Sequence, residues 1–143
     1  MNAVPSTLKI SPYTTTSSKL FVGLRNGRLL KVENANVGVG TWSNITGPDF
    51  VGSISDIEFG KTENQIFVTM HNYGVNSIWY SNDGGENWVS KEGNLPDIPV
   101  KAVLQNPLSR NEVIIGTELG GWKTKNVNEA SPIWTQSYNG MSN

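Results

Sequence analysis

The sequence predicts an all-β protein. Of its 143 residues, 36% are apolar, 16% are charged and 15 are glycine, a composition that supports a packed core but favours turns over long helices. No long segment keeps an apolar 3.6-residue period, whereas short alternating runs bounded by Gly, Asn and Pro occur throughout. Both observations are typical of many short strands joined by tight turns.

The chain also repeats itself. Trp42, Trp88 and Trp134 are spaced 46 residues apart. The same step separates three apolar strand centres, at Phe21-Val22, Phe67-Val68 and Val113-Ile114. Evenly spaced tryptophans can arise by chance, but a matching strand at the same offset rarely does. The chain is therefore predicted to contain three copies of one unit.

The first unit contains four predicted strands, lettered A to D in chain order. Strand A at residues 7–10 ends at Ser11-Pro12, and strands B (20–24) and C (28–32) are joined by a tight turn at residues 25–27. A glycine-rich loop then leads to strand D at residues 41–45. Four strands in this order form one antiparallel meander.

The second and third units follow the same pattern. Unit two has predicted strands at residues 53–59, 65–70, 77–81 and 88–91. Unit three has them at residues 100–104, 112–116, 122–125 and 133–137, with a turn at Gly120-Gly121 before its third strand. The prolines in residues 93–99 separate the two units, because proline cannot donate to a strand ladder.

Four short strands in a period of about 40 to 45 residues are the signature of a β-propeller blade. The fold is therefore predicted to be three four-stranded antiparallel blades in one propeller segment, at residues 5–47, 48–96 and 97–143. Propellers close with about four to eight blades, so three leave apolar blade faces uncovered. The expected partners are the remaining blades of a parent propeller or a second copy that completes a ring. Residues 140–143 stand where a further strand A is expected to begin.

Residues 81–88 read Ser-Asn-Asp-Gly-Gly-Glu-Asn-Trp and are predicted to form a hairpin between strands C and D of unit two. Asp83 can accept hydrogen bonds from the turn backbone, Ser81 can brace it, and Gly85 tolerates positive φ. Trp88 can fold its ring over the loop. We expect a structural role for these four residues, because turn chemistry explains them. A Ca²⁺ site at Asn82-Asp83 would have too few oxygen ligands.

The pattern Ser81-x-Asp83-x-Gly85-x-x-Trp88 resembles the Asp-box, or BNR repeat, of sialidases, sortilin-like receptors and xyloglucanase-type propellers. Position 87 departs from that family, with Asn in place of the usual Thr. Residues 10–15, 91–96 and 116–120 also look like the C-terminal propellers of large secreted Bacteroidetes proteins. That resemblance implies an extracellular or cell-surface location, although this chain carries no type IX sorting tail.

The resemblance also assigns the loops to two opposite faces of the propeller. In Asp-box propellers the ligand sites lie on the face formed by the B–C and D–A connections, whereas the Asp-box lies on the opposite face. The ligand-face loops of this chain would present seven candidate residues: Arg25, Asn26, Asp49, His71, Tyr73, Asp97 and Glu118. Such a set suits a glycan or protein ligand, although ordinary solvated loops have a similar composition.

A catalytic alternative rests on two acids of this face. A glycoside hydrolase needs two carboxylates across a sugar, about 5 to 10 Å apart, and Glu118 with Asp97 or Asp49 would be the pairs to test. Sialidases use three arginines on this face, and here only Arg25 lies in such a loop. Sialidase activity is therefore disfavoured, while a polysaccharide hydrolase stays an alternative.

Composition narrows the remaining function classes. The net charge is −1 and the cationic residues are scattered, so nucleic acid is not an expected partner. With no cysteine and one histidine, the sequence predicts no metal site, and it contains no cofactor motif. Residues 1–9 hold no apolar core of the length that a signal peptide needs, and the sequence contains no apolar run of membrane-spanning length.

The expected function is a non-catalytic binding or structural propeller module of a larger secreted or cell-surface protein, with a glycan or protein as ligand. Two alternatives stay open. One is a propeller that forms part of a glycoside hydrolase, and the other is a three-blade unit that assembles into a closed ring.

Overall fold

The computed structural model describes residues 4–137, which form twelve strands. They are β1 (Pro5–Ile10), β2 (Leu20–Leu24), β3 (Leu29–Glu33), β4 (Thr41–Asn44), β5 (Ile54–Phe59), β6 (Ile66–Met70), β7 (Ile78–Ser81), β8 (Val89–Ser90), β9 (Val100–Gln105), β10 (Val113–Thr117), β11 (Gly120–Thr124) and β12 (Thr135–Ser137). Residues 4–137 contain no helix, and therefore none that could span a membrane.

The strands form three four-stranded antiparallel sheets in simple meander order: β1–β4 (blade one), β5–β8 (blade two) and β9–β12 (blade three). Each strand pairs with the one that follows it in the same sheet. The predicted fold class is confirmed: the chain is all-β, with three antiparallel blades of a partial propeller. The prediction for residues 140–143 lies outside the described residues.

The first strands of neighbouring blades lie against each other, β1 on β5 and β5 on β9. Each of them has a β-bulge near its start, at Ser6, Ser55 and Lys101. The Ser6 hydroxyl donates to Ile54 O of blade two (2.5 Å), and the Ser55 hydroxyl donates to Val100 O of blade three (2.6 Å). The bulges thus tie each blade to the next along the inner edge of the array.

Two apolar cores fill the spaces between blades. Strand β6 is buried along its whole length, because both faces of blade two are covered. One core lies between blades one and two and includes Phe21, Ile57, Val68 and Trp79. The other lies between blades two and three and includes Phe67, Val103, Ile115 and Trp134.

One tryptophan contact recurs at both interfaces. The Trp88 indole Nε1 donates to Ile45 O of blade one, and the Trp134 Nε1 donates to Lys91 O of blade two, both at 2.9 Å. Donors and acceptors are each separated by the same 46 residues in the chain. Trp42 holds the equivalent position in blade one but is 60% exposed, because no blade precedes it in the described chain.

Two predictions about blade three are wrong. The predicted turn at Gly120-Gly121 belongs to β11, and the turn is at Glu118-Leu119. The Thr117 hydroxyl fixes it by accepting from Leu119 N (3.0 Å) and donating to Gly120 O (2.6 Å). In addition, Ile115 rather than Ile114 is the equivalent of Val22 and Val68, since it pairs with Val103 and Trp122 as Val68 pairs with Ile57 and Trp79.

Candidate functional site

The connections that follow the second strands bring two predicted ligand-face residues together. His71 comes directly after β6 and Glu118 directly after β10. The His71 amide is anchored to Ser53 O (2.9 Å), and the Glu118 amide to Pro99 O (3.3 Å). Because both loops are pinned to the segments that lead into the first strands, their side chains meet at the inner edge.

His71 Nε2 donates to Glu118 Oε1 at 2.8 Å, and Lys101 Nζ lies 3.5 Å from the same oxygen. The hydrogen bond from His71 holds the pKa of the Glu118 carboxyl below its ordinary value, and the charge of Lys101 lowers it further. Glu118 is therefore ionised at neutral pH. We call Ser55, His71, Lys101 and Glu118 the inner-edge cluster.

A shallow depression of about 290 Å³ adjoins this cluster. Its lining is polar apart from Ile54, and consists of Ser6, Ser53, Ser55, His71 and Lys101. The Lys101 side chain is 56% exposed and that of His71 is 41% exposed, so both can reach a ligand. The depression therefore offers hydroxyl, imidazole and ammonium groups at the place where the first strands converge.

The other predicted ligand-face residues lie apart from this cluster. Asp97 Oδ1 accepts from Gly74 N (2.7 Å), which joins the connection after β6 to the segment before β9. Asn26 Oδ1 accepts from Arg28 N (3.2 Å) within its own turn. Tyr73 is 63% exposed, and Arg25 and Asp49 are exposed as well. Within residues 4–137, none of these five forms a side-chain hydrogen bond or salt bridge with His71 or Glu118.

The geometry does not favour Glu118 and Asp97 as a hydrolytic pair. A general acid must hold a proton at working pH, so its pKa is normally raised. Glu118 has a lowered pKa and is hydrogen-bonded to His71, while the Asp97 carboxylate accepts a hydrogen bond from a backbone amide. Glu118 is therefore not prepared to act as the proton donor of such a pair.

The hairpin at residues 81–88 is held together by the Ser81 and Asp83 side chains. The Ser81 hydroxyl donates to Asp83 Oδ1 (2.8 Å) and accepts from Gly85 N (2.9 Å). The Asn87 side chain donates to Asp83 Oδ2 (2.8 Å) and its backbone amide to Asp83 Oδ1 (2.9 Å). Asn87 thus holds the carboxylate with both its side-chain amide and its backbone amide.

The Asp83 carboxylate should make the stability of the protein depend on pH. Hydrogen bonds from Asn87 and Ser81 lower the pKa of Asp83 from 3.8 to about 2. A lowered folded-state pKa gives stabilisation that is complete above the unfolded value and lost as pH falls toward the folded one. We expect wild type to melt above Asp83→Asn at neutral pH, with the difference shrinking between pH 4 and pH 2.

The measurement is a series of thermal melts of wild type and Asp83→Asn from pH 7 to pH 2. Asp49→Asn is the matched control, because the Asp49 carboxylate accepts no hydrogen bond from any residue in 4–137. A melting difference for Asp83→Asn that stays constant with pH would contradict the role of its carboxylate.

Sequence reasoning missed two members of the inner-edge cluster, Ser55 and Lys101. Both are the second residue of a first strand, as Ser6 is in blade one. A polar residue recurring at that position was the available signal. It did not reveal the bulge, because bulges arise from strand pairing rather than from local sequence.

Residues 4–137 hold no group of three or more His, Cys, Asp or Glu side chains that could bind a metal ion. The inner-edge cluster contains one imidazole and one carboxylate, and Lys101 lies beside that carboxylate. Its chemistry is thus that of hydrogen bonding and ion pairing with a polar ligand.

No family model matches the chain, and no curated protein matches it significantly.

Proposed function

We propose that the chain is a non-catalytic propeller module of a larger secreted or cell-surface protein, and that its inner-edge cluster binds a glycan or protein ligand. The observation that carries this proposal is the contact between His71 and Glu118, at 2.8 Å. It joins the loops of two blades at the edge where the first strands converge. The resemblance of residues 81–88 to the Asp-box supports the secreted or cell-surface location.

The arrangement suits ligand binding because the side chains of the inner-edge cluster are held in place but stay open to solvent. Glu118 is fixed by His71 and Lys101, while the side chains of Lys101 and His71 stay partly exposed. A ligand hydroxyl or carbonyl group could accept from the Lys101 ammonium, and a ligand hydroxyl could donate to the second ring nitrogen of a neutral His71, without disturbing the blades beneath. Fixing the side chains before binding lowers the ordering cost of the complex.

Binding to a glycan microarray tests the proposal. We expect His71→Ala and Glu118→Gln each to weaken retention of a bound glycan by about fivefold or more, the effect of one lost hydrogen bond. Glu86→Gln, an exposed acid in the hairpin at the opposite end of the blades, is the control and should leave retention unchanged. Retention that is equal in all three variants would contradict a site at the inner edge.

A second candidate function is assembly, favoured by the uncovered terminal faces. Leu8, Ile10 and Trp42 of blade one are 60%, 64% and 60% exposed, and Leu104 and Ile114 of blade three are 61% and 43% exposed. At the internal interfaces the positions equivalent to Ile114 are Phe21 and Phe67, which are buried. Blades of the same kind, from a parent propeller or from a second copy, would cover these faces in the same way.

A further inference from the structure

A groove between blades two and three opens at the end of the blades opposite the inner-edge cluster. Its volume is about 270 Å³. The floor is formed by Phe67 and Val127, which are both buried. Its walls carry Tyr80 and Lys91 from blade two, and Gln105, Arg110, Asn111 and Asn128 from blade three. We call it the interblade groove.

The walls of the interblade groove carry two cations and no carboxylate. Lys91 is only 7% exposed, and its Nζ donates to the backbone oxygen of Glu129 (2.9 Å). Arg110 Nη1 donates to the neutral Gln105 Oε1 (3.1 Å). Within residues 4–137 neither cation forms a salt bridge.

A buried lysine without a carboxylate partner is uncommon in proteins. Burial lowers the pKa of Lys91, while the charge of Glu129 raises it. The ammonium also lies 5.8 Å from the centroid of the Tyr80 ring, which partly compensates its charge. Glu129 acts on Lys91 through its charge and forms no salt bridge with it, so an anion in the groove would add a direct contact that no described carboxylate makes.

The groove also presents polar groups that have no partner in the described part of the chain. These are the side-chain amides of Asn111 and Asn128 and the hydroxyl of Tyr80, whose ring is held against Phe67 at a centroid distance of 4.8 Å. A smaller groove alongside shares Tyr80, Lys91 and Asn128 and adds the free amide of Asn82. Amides and hydroxyls both donate and accept, as sugar hydroxyls do.

We propose that the interblade groove binds a saccharide that carries a carboxylate, a sugar of the uronic acid class. Arg110 and Lys91 pair with the carboxylate, and the amides of Asn111 and Asn128 bind the ring hydroxyls. A groove of this volume lies at the small end of ligand sites and suits a sugar unit better than a peptide segment. The inference does not depend on the inner-edge cluster or on the function proposed for it.

Titration calorimetry of the chain with trigalacturonate, and with the neutral galactose trisaccharide as the matched sugar, tests this inference. We expect the neutral sugar to bind at least about tenfold more weakly, because it lacks the charge-assisted contacts. Arg110→Gln should raise the Kd of trigalacturonate about tenfold or more, and Tyr80→Phe about two- to tenfold. Arg28→Gln, which removes an exposed guanidinium of blade one, should change it less than about twofold.

Arg110 and the Tyr80 hydroxyl contribute little to the core, so both variants should keep the melting temperature of wild type. Equal binding of the charged and neutral sugars would overturn the assignment of an acidic ligand. An Arg110→Gln effect no larger than that of Arg28→Gln would overturn the location, and binding of an acidic peptide in place of trigalacturonate would overturn the saccharide class. His71→Ala and Glu118→Gln should bind trigalacturonate as wild type does, which separates this site from the inner-edge cluster.

Discussion

Replacing Trp134 with alanine should lower the free energy of unfolding by about 3 to 5 kcal/mol, the usual cost of removing a large aromatic side chain from a core. Trp134 is 1% exposed, and its indole donates to Lys91 O of the preceding blade (2.9 Å). Its backbone amide is bound by Asn94 Oδ1 (2.5 Å). The substitution would open a cavity between blades two and three and leave the Lys91 carbonyl without its donor. Urea unfolding of both proteins measures the difference.

Trp42→Ala is the matched control, because Trp42 has the same repeat position on the uncovered face of blade one. A side chain that is 60% exposed buries little apolar area, so we expect Trp42→Ala to lower the free energy of unfolding by less than about 1 kcal/mol. Light scattering of wild type and Trp42→Ala shows whether a second copy covers this face. Wild type could be a dimer that Trp42→Ala dissociates, and Trp42→Ala could cost as much stability as Trp134→Ala. Those two results together would mean that Trp42 is buried in an assembly.

Gly93→Ala should cost about 3 kcal/mol or more. Gly93 has φ of 51°, and a Cβ added there would lie 1.8 Å from the backbone oxygen of Pro132. The left-handed conformation contributes about 1 to 2 kcal/mol, and forcing the two backbone segments apart contributes about 1 to 3 kcal/mol. Thermal and urea unfolding of the variant give the total.

Gly38→Ala separates these two effects. Gly38 has nearly the same φ, 50°, but no atom lies within 4 Å of the position of its added Cβ. Only the conformational cost of about 1 to 2 kcal/mol should appear. Equal losses of unfolding free energy in Gly38→Ala and Gly93→Ala would show that the backbones at Gly93 and Pro132 move apart without an energetic cost.

The strands could be predicted from sequence because each carries a local signal. Blade two shows this best: strands β5 to β7 begin and end within one residue of the predicted ranges. The alternation of buried and half-buried residues in β5 reflects its single apolar face, whereas the continuous apolar run of β6 reflects cover on both sides. The largest difference in blade two is at the shortest strand, β8, which has two residues where four were predicted.

The error in blade three arose because insertions and deletions in its loops cancel to within one residue, and β11 is one residue longer than β7. The connection before the second strand has seven residues in blade three and six in blade two, and the next has two rather than seven. The connection before the fourth strand is longer, ten residues rather than seven. The tryptophan spacing survives these changes, so a fixed step of 46 residues placed the second strand one residue early. A shift of one residue exchanges the faces of a strand.

The candidate sites were less predictable than the strands. His71 and Glu118 were assigned to one face because strand order alone decides which loops share an end. Their hydrogen bond depends on the two-residue turn at Glu118-Leu119, which the sequence analysis placed elsewhere. The interblade groove was not predicted at all, because it is formed by residues such as Tyr80 and Arg110 that come together only when two blades pack.

Blade two packs into both apolar cores, and this determines the order in which the blades unfold. Its second strand contributes Val68 to one core and Phe67 to the other. Each terminal blade has one packed neighbour, so we expect its amides to exchange with solvent through partial openings that leave the middle blade intact. We expect the amides of β6 to exchange only when the whole array unfolds. The middle blade therefore acts as the cooperative link of a nearest-neighbour chain, and its loss uncouples the two ends.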